Sequence, residues 1–218
     1  MSYLLHIDSS ALPTGSVSRE VAETFRDAWQ QAHPTGHVVH RDLATDPSPH
    51  LTTAAVTARF TAPADRTPEQ AEAIELQDEL VEEFLGAGVY LFTVPMYNMS
   101  IPSSFKAWLD HIMVPGRTLG LSPHALATAG RPAVVISSRG GAYGPGTPRD
   151  GWDHAIPYLT TVLGSALALD VQFVISELTM AHRNPAMADL RPAAAASRTR
   201  AHQEAKQHAQ KIATHLLA

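Results

Sequence analysis

The sequence predicts an α/β fold: a single domain over residues 1–218, built on a doubly wound, five-stranded parallel sheet in the order 2-1-3-4-5 with helices on both faces. Three observations predict it. Val89 to Val94 is apolar throughout, with no polar alternation, as expected of a central parallel strand buried on both faces. Pro95 ends that strand because it has no N–H to donate, and Phe105, Trp108, Leu109 and Ile112 then recur at helical spacing. Short apolar runs of the same kind alternate with amphipathic helical patterns along the whole chain.

Tyr3 to Ile7 is the first strand, and Asp8-Ser9-Ser10 stands at its carboxyl end. A helix starts near Val17, with Val21, Phe25, Ala28 and Ala32 on its buried face. His37 to Arg41 is the second strand. Residues 43–66 are rich in Pro and Thr and hold a short helix around Thr52 to Arg59. A connection of this length suits a lid or a partner contact. Thr67-Pro68-Glu69-Gln70 opens a helix, with Thr as cap, Pro at the first position and Gln at the third. Ala73, Ile74, Leu80, Val81, Phe84 and Leu85 line that helix, and Gly86 ends it.

The central strand and its helix follow, then an irregular stretch from Val114 to Arg131. Ala133 to Ser137 is the fourth strand, Tyr158, Leu159, Val162 and Leu163 mark a helix, and Val171 to Ile175 is the fifth strand. A last helix runs from about Pro192 to Leu217, with Ala201, Ala205, Ile212 and Leu216 facing inward. Its His202, His208 and His215 are expected in solvent, since spacings of six and seven do not make a zinc pair at i and i+4.

The 218 residues are 44% hydrophobic and 17% charged, enough for a large core without staples. A formal charge of -5 argues against a nucleic-acid partner. With no cysteine there is no thiolate nucleophile and no thiolate metal site, and a reducing, cytoplasmic setting is expected. No signal peptide and no membrane span are read, and no metal ligand set is recognised.

Three polar loops carry the chemistry. The first holds Ser9, Ser10, Thr14, Ser16 and Ser18 before or at a helix start, where hydroxyls and free N–H groups suit a phosphate. The alternative is that Ser16 only caps the helix. The second is the corner Met96-Tyr97-Asn98-Met99-Ser100, offering an aromatic, an amide and a hydroxyl to something flat and polar. The third is Ser138-Arg139-Gly140-Gly141-Ala142-Tyr143, whose paired glycines let backbone approach a ligand. All three follow strands, so they converge on one sheet edge.

The combination HIDSS…SVS, PMYNMSIPSSFKAWLDHI and SSRGGAY resembles the FMN-dependent NADH azoreductases, relatives of the flavodoxin-like quinone reductases, over essentially the whole chain. The resemblance implies FMN bound by its phosphate at Ser10 and Ser16-Val17-Ser18. It places the ring against Pro95, Met96, Tyr97, Asn98 and Met99, and the pyrimidine side against Ser138, Arg139, Gly140 and Gly141. It implies a homodimer with flavin at the interface, NADH or NADPH as electron donor, and quinones or aromatic azo compounds as acceptors. No side chain is assigned as acid, base or nucleophile. Tyr143 is a candidate acceptor contact, and Arg59 or Arg66 a candidate for the nucleotide phosphate. Met99 stands where many members have phenylalanine, and Ala142-Tyr143 replaces a different pair. The rival readings are a hydrolase using Ser9 or Ser10, without the nucleophile-elbow pattern, and a flavodoxin-like electron carrier or regulatory module.

Overall fold

A computed structural model describes residues 3–120, 122 and 125–216. Five strands, β1 (Tyr3–Asp8), β2 (Val38–Asp42), β3 (Ala87–Thr93), β4 (Pro132–Ser138) and β5 (Asp170–Ser176), form one sheet in the order β2-β1-β3-β4-β5. Every pairing is parallel. The helices are α1 (Val17–Ala32), α2 (Thr53–Ala58), α3 (Pro68–Gly86), α4 (Ser103–Ile112), α5 (Ala155–Leu159) and α6 (Arg191–Leu216).

Alternation along the strands divides the core into two layers. Leu5, Ile7, Tyr90, Phe92 and Val135 face Phe84, Phe105, Trp108, Leu159 and Leu163 on one side. Leu4, Val89, Leu91, Val134 and Val174 face Phe25, Trp29, Ala201, Ala205 and Ala209 on the other. Each such large side chain contributes about 1.5–3 kcal/mol on burial. The alanines of α6 present a flat surface that lets α1 lie close against it. Tyr90 is wholly buried, and its hydroxyl donates to the Phe84 carbonyl at 2.8 Å. Burial pushes its phenol up to about 12.

The element ends differ from the sequence reading in small ways. β2 begins at Val38 instead of His37, whose carbonyl still accepts from Leu4 N–H at 3.0 Å. α3 opens with a reciprocal cap: Gln70 N–H donates to Thr67 Oγ1, and Thr67 N–H to Gln70 Oε1. α5 widens into a π-helix at Thr160–Ala166, a turn no periodicity argument had suggested. The side chain of Leu216, the expected end at Leu217, and residues 121, 123 and 124 of the irregular 114–131 stretch lie outside the described residues. His202 corrects the expectation for the last helix: it is partly buried, its Nδ1 2.7 Å from Thr24 Oγ1. His208 is also partly buried, while His215 is exposed. Among the described residues no helix is long and apolar enough to cross a membrane.

Candidate functional site

The chain leaves β1 in one direction for β2 and returns on the other side for β3, so the loops after β1 and β3 part at the switch point of the sheet. Between them lies a cleft of about 460 Å³, within the roughly 300–1,000 Å³ usual for small-molecule sites. Ser10, Ser16 and Val17 line it from the first loop, Pro95, Met96 and Tyr97 from the second, and Ser138 and Gly140 from the third. Backbone bonds fix the three loops together. Ser9 N–H donates to the Thr93 carbonyl at 3.2 Å, and Met96 N–H to the Ser138 carbonyl at 2.8 Å.

Ser16 stands at the N-cap of α1 with extended backbone, yet its side chain caps nothing. Its hydroxyl donates to Ser10 Oγ at 2.9 Å and lies 3.2 Å from Ser18 Oγ. The first N–H groups of α1 therefore point out without a side-chain cap, where the helix dipole favours an anion. Gly15 turns into the helix at φ 67, a conformation that strains other residues. Ser10 Oγ also accepts from Leu12 N–H at 3.3 Å, which leaves its own proton to donate. Ser18 is wholly buried and supports Ser16 instead of facing the cleft.

The corner after β3 is a tight turn. Tyr97 and Ser100 exchange two backbone bonds of 2.9 and 3.0 Å, with Asn98 (φ 49) and Met99 (φ 68) at its tip. Asparagine enters this region readily, whereas for methionine it costs about 1–2 kcal/mol. Tyr97 points into the cleft. Asn98 lines only a second concavity, which Tyr97 shares, with Ser103, Lys106 and Tyr158, and Met99 is 39% exposed. These two are thus near the cleft without lining it.

The third loop is held by the chain after β5. Thr179 N–H donates to the Arg139 carbonyl at 3.1 Å, Met180 to Gly140 at 3.3 Å and Leu178 to Gly141 at 3.2 Å. These bonds fix the loop so that Ser138 and Gly140 line the cleft, while Gly141 does not. A Cβ on Gly140 would stand 2.9 Å from Met180 Cγ, so a larger residue there would displace the Met180 side chain. The Arg139 side chain turns away from the cleft: it is buried, and its Nη1 donates to Asp153 at 2.9 Å.

Two candidate substrate contacts are not brought to the cleft. Tyr143 is buried between the guanidinium groups of Arg139 and Arg149, and its hydroxyl accepts from Arg149 Nη1 at 2.8 Å. Arg59 donates to Gln77 at 2.7 Å and to the Asp110 carbonyl at 2.8 Å, and Arg66 to the Thr61 carbonyl at 3.3 Å.

The sequence reading missed a whole wall. Thr179, Met180, His182, Arg183 and Arg198 line the cleft together with Ser16. Arg183 Nη2 would lie 3.9 Å from a Cβ on Gly15, and Arg198 pairs with Glu20. The Arg183 guanidinium beside an uncapped helix start adds to its attraction for an anion, whereas Arg198 is engaged by Glu20, which lines the same cleft.

Under the first loop, Asp8 is the hub of a buried network. Thr93 Oγ1 donates to its Oδ1 at 2.6 Å, while Arg19 and His40 Nε2 meet its Oδ2 at 3.1 and 2.9 Å. Arg19 is also bidentate to Asp42 and donates to the Ser10 carbonyl at 2.8 Å. Burial raises the Asp8 carboxyl, but His40, His6 and Thr93 together outweigh it and hold it well below the usual carboxylate range. Burial pushes the His6 imidazole below its ordinary value against the pull of Asp8.

The arrangement fits FMN. Hydroxyls, a helix start and arginines line one cleft together with apolar Pro95, Met96 and Met180 and the backbone of Gly140. Residues 2–214 match the family described as having a flavodoxin-like fold. The FMN-dependent NADH:quinone oxidoreductase of Streptomyces avermitilis is 48% identical over 100% of both chains. Its namesake in Streptomyces coelicolor is 47% identical over 100% of this chain and 98% of its own. An azoreductase from Bacillus anthracis str. Sterne superposes with a TM-score of 0.83 at 24% identity, covering 97% of this chain and 100% of its own. An FMN-dependent NADH-azoreductase from Bacillus anthracis str. Ames Ancestor, solved in complex with FMN, gives 0.82 at 22%, over 98% and 100%. The chain belongs to the flavodoxin-like family, in the branch formed by the FMN-dependent NADH:quinone oxidoreductases.

Proposed function

We propose that this chain is an FMN-dependent oxidoreductase that passes two electrons from NADH to quinones and to aromatic azo compounds. The observation that carries the reading is the convergence of the loops after β1, β3 and β4 on one cleft with an anion-binding end. When bound, FMN supplies the two-electron redox chemistry that no side chain here provides. Ser10, Ser16, the first N–H groups of α1 and Arg183 hold the phosphate. Met96 and Tyr97 position the ring, and the N–H groups of Gly140 and Gly141 offset negative charge at its pyrimidine side. Donor and acceptor enter the same cleft in turn, which gives ping-pong kinetics.

A second copy covers the cleft. Leu12 and Met180 are exposed within it, and Phe60, in the stretch after α2, is 87% exposed. Such groups gain from a partner surface, and water exclusion favours hydride transfer.

The visible spectrum after FMN addition and desalting tests cofactor binding, and NADH oxidation with a quinone or an azo dye tests turnover. One FMN per chain and parallel double-reciprocal lines are expected. A colourless protein sinks the proposal, and intersecting lines exclude the ping-pong order.

A further inference from the structure

Beside the flavin cleft, on the far side of Gly15 and Ser16, lies a second cavity of about 350 Å³. Its floor is made by His6 and Asp8 of β1 and His40 of β2. Parallel pairing sets His6 directly beside His40, and Asp8 follows two residues later on the same face. His40 Nε2 lies 2.9 Å from Asp8 Oδ2 and His6 Nε2 lies 3.4 Å from Asp8 Oδ1. One ligand atom from each residue falls within 4.8 Å of the others. Ligand atoms at roughly 2.0–2.2 Å from a tetrahedral zinc ion stand about 3.4 Å apart, so small side-chain adjustments suffice.

His6 is the telling residue. It is only 2% exposed, and among the described residues neither ring nitrogen has a well-formed hydrogen bond, Nε2 approaching Asp8 Oδ1 no closer than 3.4 Å. A buried imidazole without partners is costly unless something else binds it. The cavity carries charge of both signs. Glu20 and Glu23 line the same cavity with Arg19 and Arg26, while Arg19 keeps two bonds to Asp42 that do not depend on Asp8. The His40 side chain, 38% exposed, gives an ion a way in.

We propose that His6, Asp8 and His40 form a divalent transition-metal site of the zinc type, with a fourth position open to the cavity. Two imidazoles and a carboxylate are a ligand set that such ions take.

Equilibrium dialysis of the tag-free, FMN-saturated protein against zinc, with metal analysis, tests this. One zinc per chain at micromolar affinity is expected, weakened at least about tenfold in His40→Gln. His208→Gln, outside the cluster, should bind as the parent does. Copper(II) in place of zinc should show two coordinated nitrogens by electron paramagnetic resonance, and His6→Asn should remove one. Retained FMN in each variant shows that it has folded. Failure of the parent to bind, or equal binding by the parent and His40→Gln, overturns the site; in that case the cluster is a hydrogen-bonded network only.

Discussion

The hydroxyl of Tyr97 stands 3.4 Å from that of Ser10 and accepts from the Ala11 N–H at 3.0 Å, so one side chain ties the corner after β3 to the loop after β1. Tyr97→Phe keeps the ring and breaks the tie. FMN affinity should fall by about tenfold, the equivalent of roughly 1.4 kcal/mol. Fluorescence titration measures it, and an unchanged dissociation constant would show that the tie does not organise the cleft.

Ser16 faces the cleft and Ser18 stands behind it. Ser16→Ala should weaken FMN by at least about tenfold, since a hydrogen bond to a charged group is worth roughly 1.5–3 kcal/mol. Riboflavin, which has no phosphate, should bind nearly as before. Ser18→Ala should have the smaller effect because it acts only through Ser16. Equal losses for the two ligands would mean that the loop does not read phosphate.

Tyr143 is held by Arg149 away from the cleft. Tyr143→Phe should therefore leave both half-reactions unchanged in stopped flow, and lower stability by about 1 kcal/mol through the lost hydrogen bond. Slower reoxidation by quinone would place the hydroxyl at the acceptor after all.

His202 gives a pH test. Burial, then the charge of Arg198, holds its imidazole below the ordinary value, against Glu20. Its folded value thus lies under its unfolded value of about 6.5, so protonation opposes folding. The contribution is present above that pH and is lost as pH falls. The melting temperature should drop from neutral to mildly acid pH, and less steeply in His202→Gln. Parallel profiles for parent and variant would remove His202 from the account.

Phe60 tests the covered cleft. Sedimentation of the parent should give a dimer, and Phe60→Asp should shift it towards monomer with a loss of turnover. An active monomeric parent would contradict the proposed partner.

Much of the fold was legible because it rests on local patterns. Unbroken apolar strands, Pro95 and the Thr67–Gln70 cap each report on their own neighbourhood, and the three loops follow from the strands. What was not legible depends on pairing and packing across long separations. Arg183 and Arg198 carry no motif: Arg183 reaches the cleft on the segment after β5, and Arg198 because α6 lies on α1. His6 and His40 are 34 residues apart and meet through register, as their numbers in the pairing show. Arg139 looked like a ligand contact by position in its motif, but its side chain joins Asp153, which no spacing rule links to it.

The two walls of the cleft have a consequence for biogenesis. One comes from residues 10–17 and the other from residues 179–198, so the cleft exists only once β1 and the segment after β5 have both been made and brought together. Chains emerge at about 5–20 residues per second, and β1 must wait for β3 before its carboxyl end is fixed. A nascent chain stalled before β5 has the loops after β1, β3 and β4 but lacks the wall made by Thr179, Met180, His182, Arg183 and Arg198. Cofactor loading therefore needs the segment after β5, and chains terminated before it should emerge without flavin.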